Sequence, residues 1–588
     1  MSEPVYVLGV SGLFHDSAAC ILRDGALVAA AQEERFTRKR HDPALPRNAI
    51  AWCLAEAGIE GPRLDHVCFY DKPVRKFVRL VESYLASAPR SFRAYLDAMP
   101  QWLKQKLWTA GALEDLLDPR SAVLFTEHHQ AHAASAFYPS PFERAAVLTL
   151  DGVGEHTTTS QAVGEGASLR IERELRFPHS LGLLYSAFTA YMGFRVDSGE
   201  YKVMGLAPYG EPRFREVILR ELVDLRDDGS VRLDMRYFDY VAGQRMTSPR
   251  FHALFGGPPL RPDTAPTQRE MDLAASVQSV LEEAVLRMCR DLHRRTKLRA
   301  LCMAGGVALN CTANGRILRE DTGFHDLWIQ PAAGDAGGAL GCAYAVWHQY
   351  LGHARTVTEG RDSMRGALLG PRISSDEITA LTMRYGAVSE RLSDDELVAR
   401  VASRIAQGAV VGWCNGPMEF GPRALGARSI LADPRDPAMQ RRLNADLKLR
   451  EGFRPFAPSV AAEDAARYFD LATPSPYMLL TAPVRDGAGL PAVTHVDGSA
   501  RVQTVDAAVH PRYHALLKAF ERITGAPVLL NTSFNVRGEP IVRTAAEAYA
   551  CFMRTGMELL VLEDHLFERN AQPPWPEGDA WRAALVPD

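Results

Sequence analysis

The sequence contains no run of about 18 apolar residues, the length a membrane-spanning helix needs, so no segment reads as a membrane span. It contains no C-x-x-C pair. Its nine cysteines (Cys20, Cys53, Cys68, Cys289, Cys302, Cys311, Cys342, Cys414 and Cys551) stand singly within apolar segments. That argues against a zinc ribbon or a thioredoxin-like site and fits reduced core residues of a cytosolic protein. The opening stretch, MSEPVYVLGVSG, lacks the basic region and long apolar run of a signal peptide. A soluble, cytoplasmic protein with no membrane partner is therefore expected. Nor is there an excess of one charge: the net is −4 over 588 residues, poorly suited to wrapping nucleic acid through many phosphate contacts. No low-complexity tract is visible.

What is present is ordinary globular material, 47% apolar and 23% charged, in a chain long enough for more than one domain. Apolar runs such as Val5–Val10, Ala145–Leu150 and Val410–Trp413 read as strands. Asn48–Ala57 and Met271–Leu292 read as amphipathic helices. The fold class is α/β. Val7-Leu8-Gly9-Val10-Ser11-Gly12, a turn and Asp16–Leu22 are echoed by Val147-Leu148-Thr149-Leu150-Asp151-Gly152, a turn and Thr157–Val163. Two such hairpins predict a duplicated fold with two facing halves and a ligand between them. Residues 352–366 are polar and lack apolar periodicity, as a linker would be.

Candidate metal ligands come next. His128 and His132 stand four apart, on one face if the segment is helical, and two imidazoles at that spacing can share an ion. Asp151 ends the following strand. Asp335 follows another apolar strand, at the kind of tip where ligands sit in open α/β sheets. Two imidazoles and two carboxylates without a thiolate favour Fe(II), Mn(II) or Zn(II). The glycine turns Gly152-Val153-Gly154, Gly305-Gly306 and Gly337-Gly338 lie beside these candidates, where backbone amides can face phosphate. Lys202 is a candidate phosphate-facing lysine.

Between Gly421 and Arg454 lie eight basic residues, Arg423, Arg428, Arg435, Arg441, Arg442, Lys448, Arg450 and Arg454, against four acids, Asp433, Asp436, Asp446 and Glu451. Guanidinium groups suit bidentate phosphate binding. Arg423, Arg454 and Arg501 sit in apolar, turn-punctuated segments. Asn531, Ser533 and Asn535 alternate at the end of an apolar run, suited to a urea-like group.

Together these stretches resemble the NodU/CmcH-type O-carbamoyltransferase family of antibiotic-tailoring and nodulation enzymes. The motifs are Ser11-Gly12-x-x-His15-Asp16-Ser17-Ala18, His128-x-x-x-His132, Leu150-Asp151-Gly152, Lys202–Ala207, Gly305–Asn310, Phe420–Gly426, Phe453–Pro458 and Asn531–Asn535. The resemblance implies an actin-like (duplicated ribonuclease-H-like) domain over residues 1–355 and a YrdC-like, carbamoyl-adenylate-forming domain over 366–588. It implies ATP with Mg(II), carbamoyl phosphate and a hydroxyl-bearing small molecule such as an antibiotic or other secondary metabolite as acceptor. By similarity His128, His132, Asp151 and Asp335 hold an ion, iron first. Nucleotide would meet Gly152, Gly154, Lys202, Gly305, Gly306, Asn310, Gly337 and Gly338. Catalysis would fall to His15, Asp16, Lys39, Arg423, Lys448 and Arg501. Carbamoyl phosphate and ATP would meet Arg423, Lys448, Arg450, Arg454, Arg501, Asn531, Ser533 and Asn535 in the second domain. Residues 75–117, rich in Arg, Leu, Trp and Tyr, are expected to line the acceptor pocket or to pack as core. A homodimer is left open.

Three other readings compete. An actin-like small-molecule kinase explains the first half but not the basic second domain. A two-His-one-carboxylate iron oxygenase has no use for the glycine turns. A nucleotide-gated regulatory protein would bind ATP without turnover.

Overall fold

The computed structural model describes residues 3–358, 360–578 and 581–582, so residues 583–588 of the expected second domain lie outside the described residues. The chain forms two compact units. One comprises Met1–Glu33 and His41–Ser363, the other Glu34–Arg40 and Met364–Asp588.

In the first unit the strands β1 (Tyr6–Ser11), β2 (Ala18–Arg23), β3 (Ala26–Gln32), β4 (His66–Phe69) and β5 (Leu124–Phe125) form a sheet of order β3-β2-β1-β4-β5. The strands β6 (Arg144–Leu150), β7 (Thr157–Glu165), β8 (Ser168–Arg176), β11 (Ala300–Ala304) and β12 (Asp326–Ile329) form a second, of order β8-β7-β6-β11-β12. β9 (Val223–Leu225) and β10 (Val231–Leu233) make a separate ribbon. Each five-stranded sheet pairs three strands antiparallel and then adds two in parallel. This is the ribonuclease-H-like topology, present twice, as in an actin-like domain. The two hairpins read from the sequence are β1–β2 and β6–β7.

After the last strand of each sheet comes a buried helix, His128–Phe137 after β5 and Asp335–Ala345 after β12. Both are rich in small residues, and both are buried nearly all round, as helices between two sheets must be. They approach until no side chain fits between them. A Cβ on Gly341 would stand 1.8 Å from the Ala131 carbonyl oxygen, and one on Gly9 of β1 would stand 1.9 Å from that of Ala339. The polar stretch after the second helix does not hang free. Arg355 donates to the carbonyls of Phe137, Tyr138, Ser140 and Phe142 and lies over the Phe137 ring.

The second unit is a nine-stranded sheet of order β13-β21-β20-β14-β15-β19-β16-β18-β17. Its strands are β13 (Glu390–Arg391), β14 (Val411–Cys414), β15 (Arg428–Ala432), β16 (Ala457–Ala461), β17 (Leu480–Pro483), β18 (Ser499–Val505), β19 (Val528–Ser533), β20 (Leu559–Leu562) and β21 (His565–Glu568). Successive residues of β19 and β20 alternate between two cores: Val528, Leu530, Leu560 and Leu562 enter one, Leu529, Leu559 and Val561 the other. Both faces are covered, which is why β20 and the first half of β19 are apolar on both sides.

Glu34–Arg40 is built into this unit rather than the one its neighbours join. Arg35 is 3% exposed and donates to the Gly421 carbonyl. Arg38 donates to the carbonyls of Ile541 and Pro540, both at 2.7 Å, and pairs with Glu547. Arg543 returns a bond to the Arg35 carbonyl and lies over Phe36. Nothing in the sequence marks this excursion.

Arg38→Ala should therefore destabilise the second unit by about 1–3 kcal/mol, because two buried carbonyls lose their donors. Thermal unfolding should show the corresponding transition lowered by several degrees; an unchanged midpoint would make the segment dispensable.

Candidate active site

The crossing of the two buried helices sets the site. His128 and His132, one turn apart on the first, turn both Nε2 atoms the same way, 3.1 Å from each other. Asp335, first residue of the second helix, places Oδ1 3.7 Å from each Nε2. Asp151, just past β6, places Oδ2 3.1 Å from the His128 Nε2 and 3.9 Å from the His132 Nε2. These four donor atoms all lie within 4.8 Å of one another.

The arrangement fits a divalent ion. Two ligands held ~2.1 Å from one ion at near-right to tetrahedral angles stand roughly 3.0–3.4 Å apart; the two 3.1 Å contacts of His128 match this, and the separations of 3.7 and 3.9 Å are somewhat wider. Burial, with repulsion from His132, holds His128 well below the ordinary imidazole range, in the neutral form a ligand requires. Burial also raises Asp335 against the attraction of His15. Buried Asp335 and half-buried Asp151 face two buried imidazoles, and Asp151 is held well below the usual carboxylate range by its hydrogen bond with His128 and the attraction of His132, against the effect of burial.

The surroundings are organised. The other oxygen of Asp151 accepts the Gly306 amide at 2.9 Å. Glu155 accepts the His128 amide at the helix N-terminus, where a negative charge is favoured, and also the Lys72 amide. Tyr70 donates to Asp335 Oδ2 at 3.1 Å, and its hydroxyl is pushed well above the ordinary phenol range by burial and then by Asp335. Lys76, 7% exposed, is paired with Asp71 at 2.7 Å.

His15 lies beside this cluster, its Nε2 3.8 Å from Asp335 Oδ2. Its Nδ1 is 3.0 Å from Asp16 Oδ2, and the other oxygen of Asp16 is 2.7 Å from His41 Nδ1. Asp16 thus bridges two imidazoles, from a backbone with φ of 51°. Burial works against a charged His15, but the attraction of Asp335, then the hydrogen bond and charge of Asp16, outweigh it and raise its pKa to about 10. His41 was not singled out from the sequence; its place two residues after Lys39 was the available signal. His129 differs from its neighbours: it bonds Thr149 Oγ1 at 2.7 Å, and burial takes it down to about 3, so it is a neutral core residue.

The glycines expected to face nucleotide divide by what a side chain would meet. A Cβ on Gly154 would strike His128, on Gly305 the Leu150 carbonyl, on Gly337 the Ala332 carbonyl and on Gly338 the Tyr70 ring, each under 3.0 Å. At these four a side chain would have no room. Gly152 and Gly306 meet nothing closer than 3.8 and 3.2 Å. Asn310 caps the Cys311–Arg319 helix through Ala313 and exchanges bonds with Gln278. Lys202 is 2% exposed, over the Phe194 ring.

In the second unit, Lys448 is 2% exposed and donates to Ser533 and to Asn535, the latter at 2.9 Å on both its carbonyl and side-chain oxygens. Three expected residues meet there. Asn531 instead joins Ser459, Gln503 and the Ala424 carbonyl within the core. Arg450 bonds Asn444 and covers Phe456, and Arg454 pairs with Glu451. Arg501 lies on β18 opposite Thr481 of β17. Arg423 lies in a loop folded by Glu419, whose Oε1 accepts the amides of Leu425, Ala427 and Arg428. Glu419 also escaped the sequence reading, although it stands directly before the Phe420–Gly426 motif. Lys39 lies within the Glu34–Arg40 segment of this second unit.

A family model described as the carbamoyltransferase N-terminus matches residues 6–344, and one described as the carbamoyltransferase C-terminus matches residues 402–569. The chain belongs to the carbamoyltransferase family. An uncharacterized protein of Synechocystis is 52% identical over 98% of this chain and 99% of its own. Nodulation protein NolNO of Sinorhizobium fredii is 39% identical over 95% of this chain and 80% of its own. Nodulation protein U of Bradyrhizobium diazoefficiens is 29% identical over 91% and 93%. Among solved structures, HypF of T. kodakarensis matches 59% of this chain and 49% of its own at 15% identity and a TM-score of 0.31, a likeness too slight to bear on function. This carbamoyltransferase therefore carries its two clusters in the regions that the two family models cover.

Replacing His132 by Ala, or Asp335 by Ala, removes one of four converging donors. Metal retained after purification, measured by elemental analysis, should fall at least about tenfold, as even supporting residues of metal sites are worth that much. Wild-type metal content in both variants would remove these residues from the ligand set.

Proposed function

We propose that this carbamoyltransferase is ATP-dependent and works through carbamoyl-adenylate, passing the carbamoyl group to a hydroxyl of a small-molecule acceptor such as an antibiotic or other secondary metabolite. The observation that carries the reading is the convergence of His128, His132, Asp151 and Asp335 with His15 at their edge. The cluster of Lys448, Ser533 and Asn535 in the second unit supports a separate activation step.

In this reading residues 366–588 are YrdC-like and form the adenylate. Carbamoyl phosphate, held by Arg423, Lys448, Arg450, Arg454 and Arg501, is hydrolysed to carbamate and phosphate. A carbamate oxygen then attacks the α-phosphorus of ATP, brought with Mg(II), and pyrophosphate leaves. Clustered positive charge and positioning supply most of the acceleration in such steps. Residues 1–355 carry the transfer. The acceptor oxygen attacks the carbamoyl carbon, its proton goes to His15 Nε2, and the bond to AMP breaks. Asp16 holds the other ring nitrogen of His15 and so fixes which nitrogen faces the acceptor. His128, His132, Asp151 and Asp335 would hold a divalent ion, with Fe(II) first and Mn(II) or Zn(II) next, supplying Lewis-acid polarisation. An ion on Asp335 would also cancel the attraction that raises His15 and return it toward the range of a working base. Gly152, Gly154, Lys202, Gly305, Gly306, Asn310, Gly337 and Gly338 are the candidates for nucleotide contact.

With ATP and carbamoyl phosphate but no acceptor, the purified protein should release pyrophosphate only when both are present. Arg423→Ala should lower that rate at least about a hundredfold, a typical cost of removing one charge-stabilising donor. His15→Asn should leave it within about twofold while abolishing AMP release to any acceptor that the wild type uses. ADP as the product would instead select the kinase, which the family does not favour.

A further inference from the structure

Between β4 and β5 the first unit carries a helical hairpin, Pro73–Ala86 and Phe92–Lys104, outside both duplicated sheets. Val74, Val78 and Leu85 on its first helix are 63%, 44% and 73% exposed, and Phe92, Leu96 and Leu103 on its second 62%, 51% and 54%. Tyr95 and Trp108 add to them. Scattered exposed apolar residues need no explanation, but these gather within one short segment.

The two stripes share one side of the hairpin. The helices meet through Phe77 with Trp102 and Tyr84 with Tyr95, an antiparallel seam of residues seven apart. Val78 and Leu85 each follow a seam residue of the first helix by one position, and Leu96 and Leu103 follow those of the second. One position is a rotation of about 100°. The same rotation, in the same sense, on two antiparallel helices carries both stripes to the same side.

Of the basic residues between Pro73 and Trp108, Arg75, Arg90, Arg93 and Lys104 are exposed, against the exposed acids Glu82 and Asp97, in a chain of net charge −4, while Lys76 is buried against Asp71. A basic surface with exposed Leu, Phe and Trp is the composition of helices that lie in a bilayer interface. A symmetric contact between two copies would set this positive surface against itself, which is unfavourable. No helix among the described residues is long and apolar enough to cross a membrane, and lying on one requires none. We propose that this hairpin docks the protein on an anionic membrane surface. Lys106, over both the Trp102 ring and the Phe14 ring next to His15, ties the docking face to the transfer site. The proposal does not depend on the carbamoyl-adenylate chemistry above.

The test is sedimentation of the full-length protein with vesicles of phosphatidylcholine mixed with phosphatidylglycerol, against vesicles of phosphatidylcholine alone. The wild type should partition to the anionic vesicles and be released by salt. The double variant Leu96→Asp, Leu103→Asp should partition at least about tenfold less, and so should Arg90→Ala with Arg93→Ala. Both pairs change exposed side chains, so circular dichroism and unfolding temperature should match the wild type. Failure of the wild type to sediment with anionic vesicles, or equal sedimentation of the variants, would overturn the proposal. So would a dimer, seen by light scattering, that the Leu103→Asp change dissociates, since that assigns the face to a second copy.

Discussion

The close crossing of two buried helices is the constraint on which the rest of the first unit depends. It exists because Gly341 faces the backbone of Ala131 with no side chain between them. At that separation Asp335, at the start of one helix, comes within 4 Å of the Nε2 atoms of His128 and His132 on the other. A larger residue at Gly341 would drive its side chain into the Ala131 backbone and part the helices. Duplication supplies the symmetry: each half ends its sheet with a strand and sends one helix into the same gap.

That gap is electrostatically demanding. Two carboxylates, two imidazoles and the Tyr70 hydroxyl are buried together, and burial pushes Asp335 and Tyr70 up and His128 down. Each shift disfavours charge on its own group. A cation placed there would favour ionised Asp335 and leave His128 in its neutral form. His15 stands at the boundary of this region, part-exposed and tied through Asp16 to His41. It can respond to what occupies the cluster without belonging to it.

The two units answer different chemical needs. The first gathers acidic and imidazole groups around a point. The second disperses basic groups along strand ends and loops, with Glu419 folding the Arg423 loop and Lys448 tying the ends of two segments together. The Glu34–Arg40 segment, anchored by Arg35 and Arg38, makes the second unit incomplete without residues from near the chain start.

Much of this was legible in the sequence. The repeated hairpins foretold the duplicated sheets because strand alternation and glycine turns are local properties. The spacing of His128 and His132 foretold that their rings would turn the same way, because helix geometry fixes the i, i+4 relation. The family motifs named most of the remaining site residues. What the sequence could not supply were facts that depend on distant approach. Gly154, Gly305, Gly337 and Gly338 also stand where a side chain would strike a neighbour, which no local pattern reveals. Asn310 caps a helix and Asn531 joins a core network, partners that only the fold supplies. His41 and Glu419 acquire their importance only from Asp16 and from three amides of a folded loop. The sequence by itself determined the periodicities, the turns and the chemical types of the donors, because these are written residue by residue. Only the tertiary structure decided which of them meet, because that depends on how closely two helices can cross and on which unit a seven-residue segment joins.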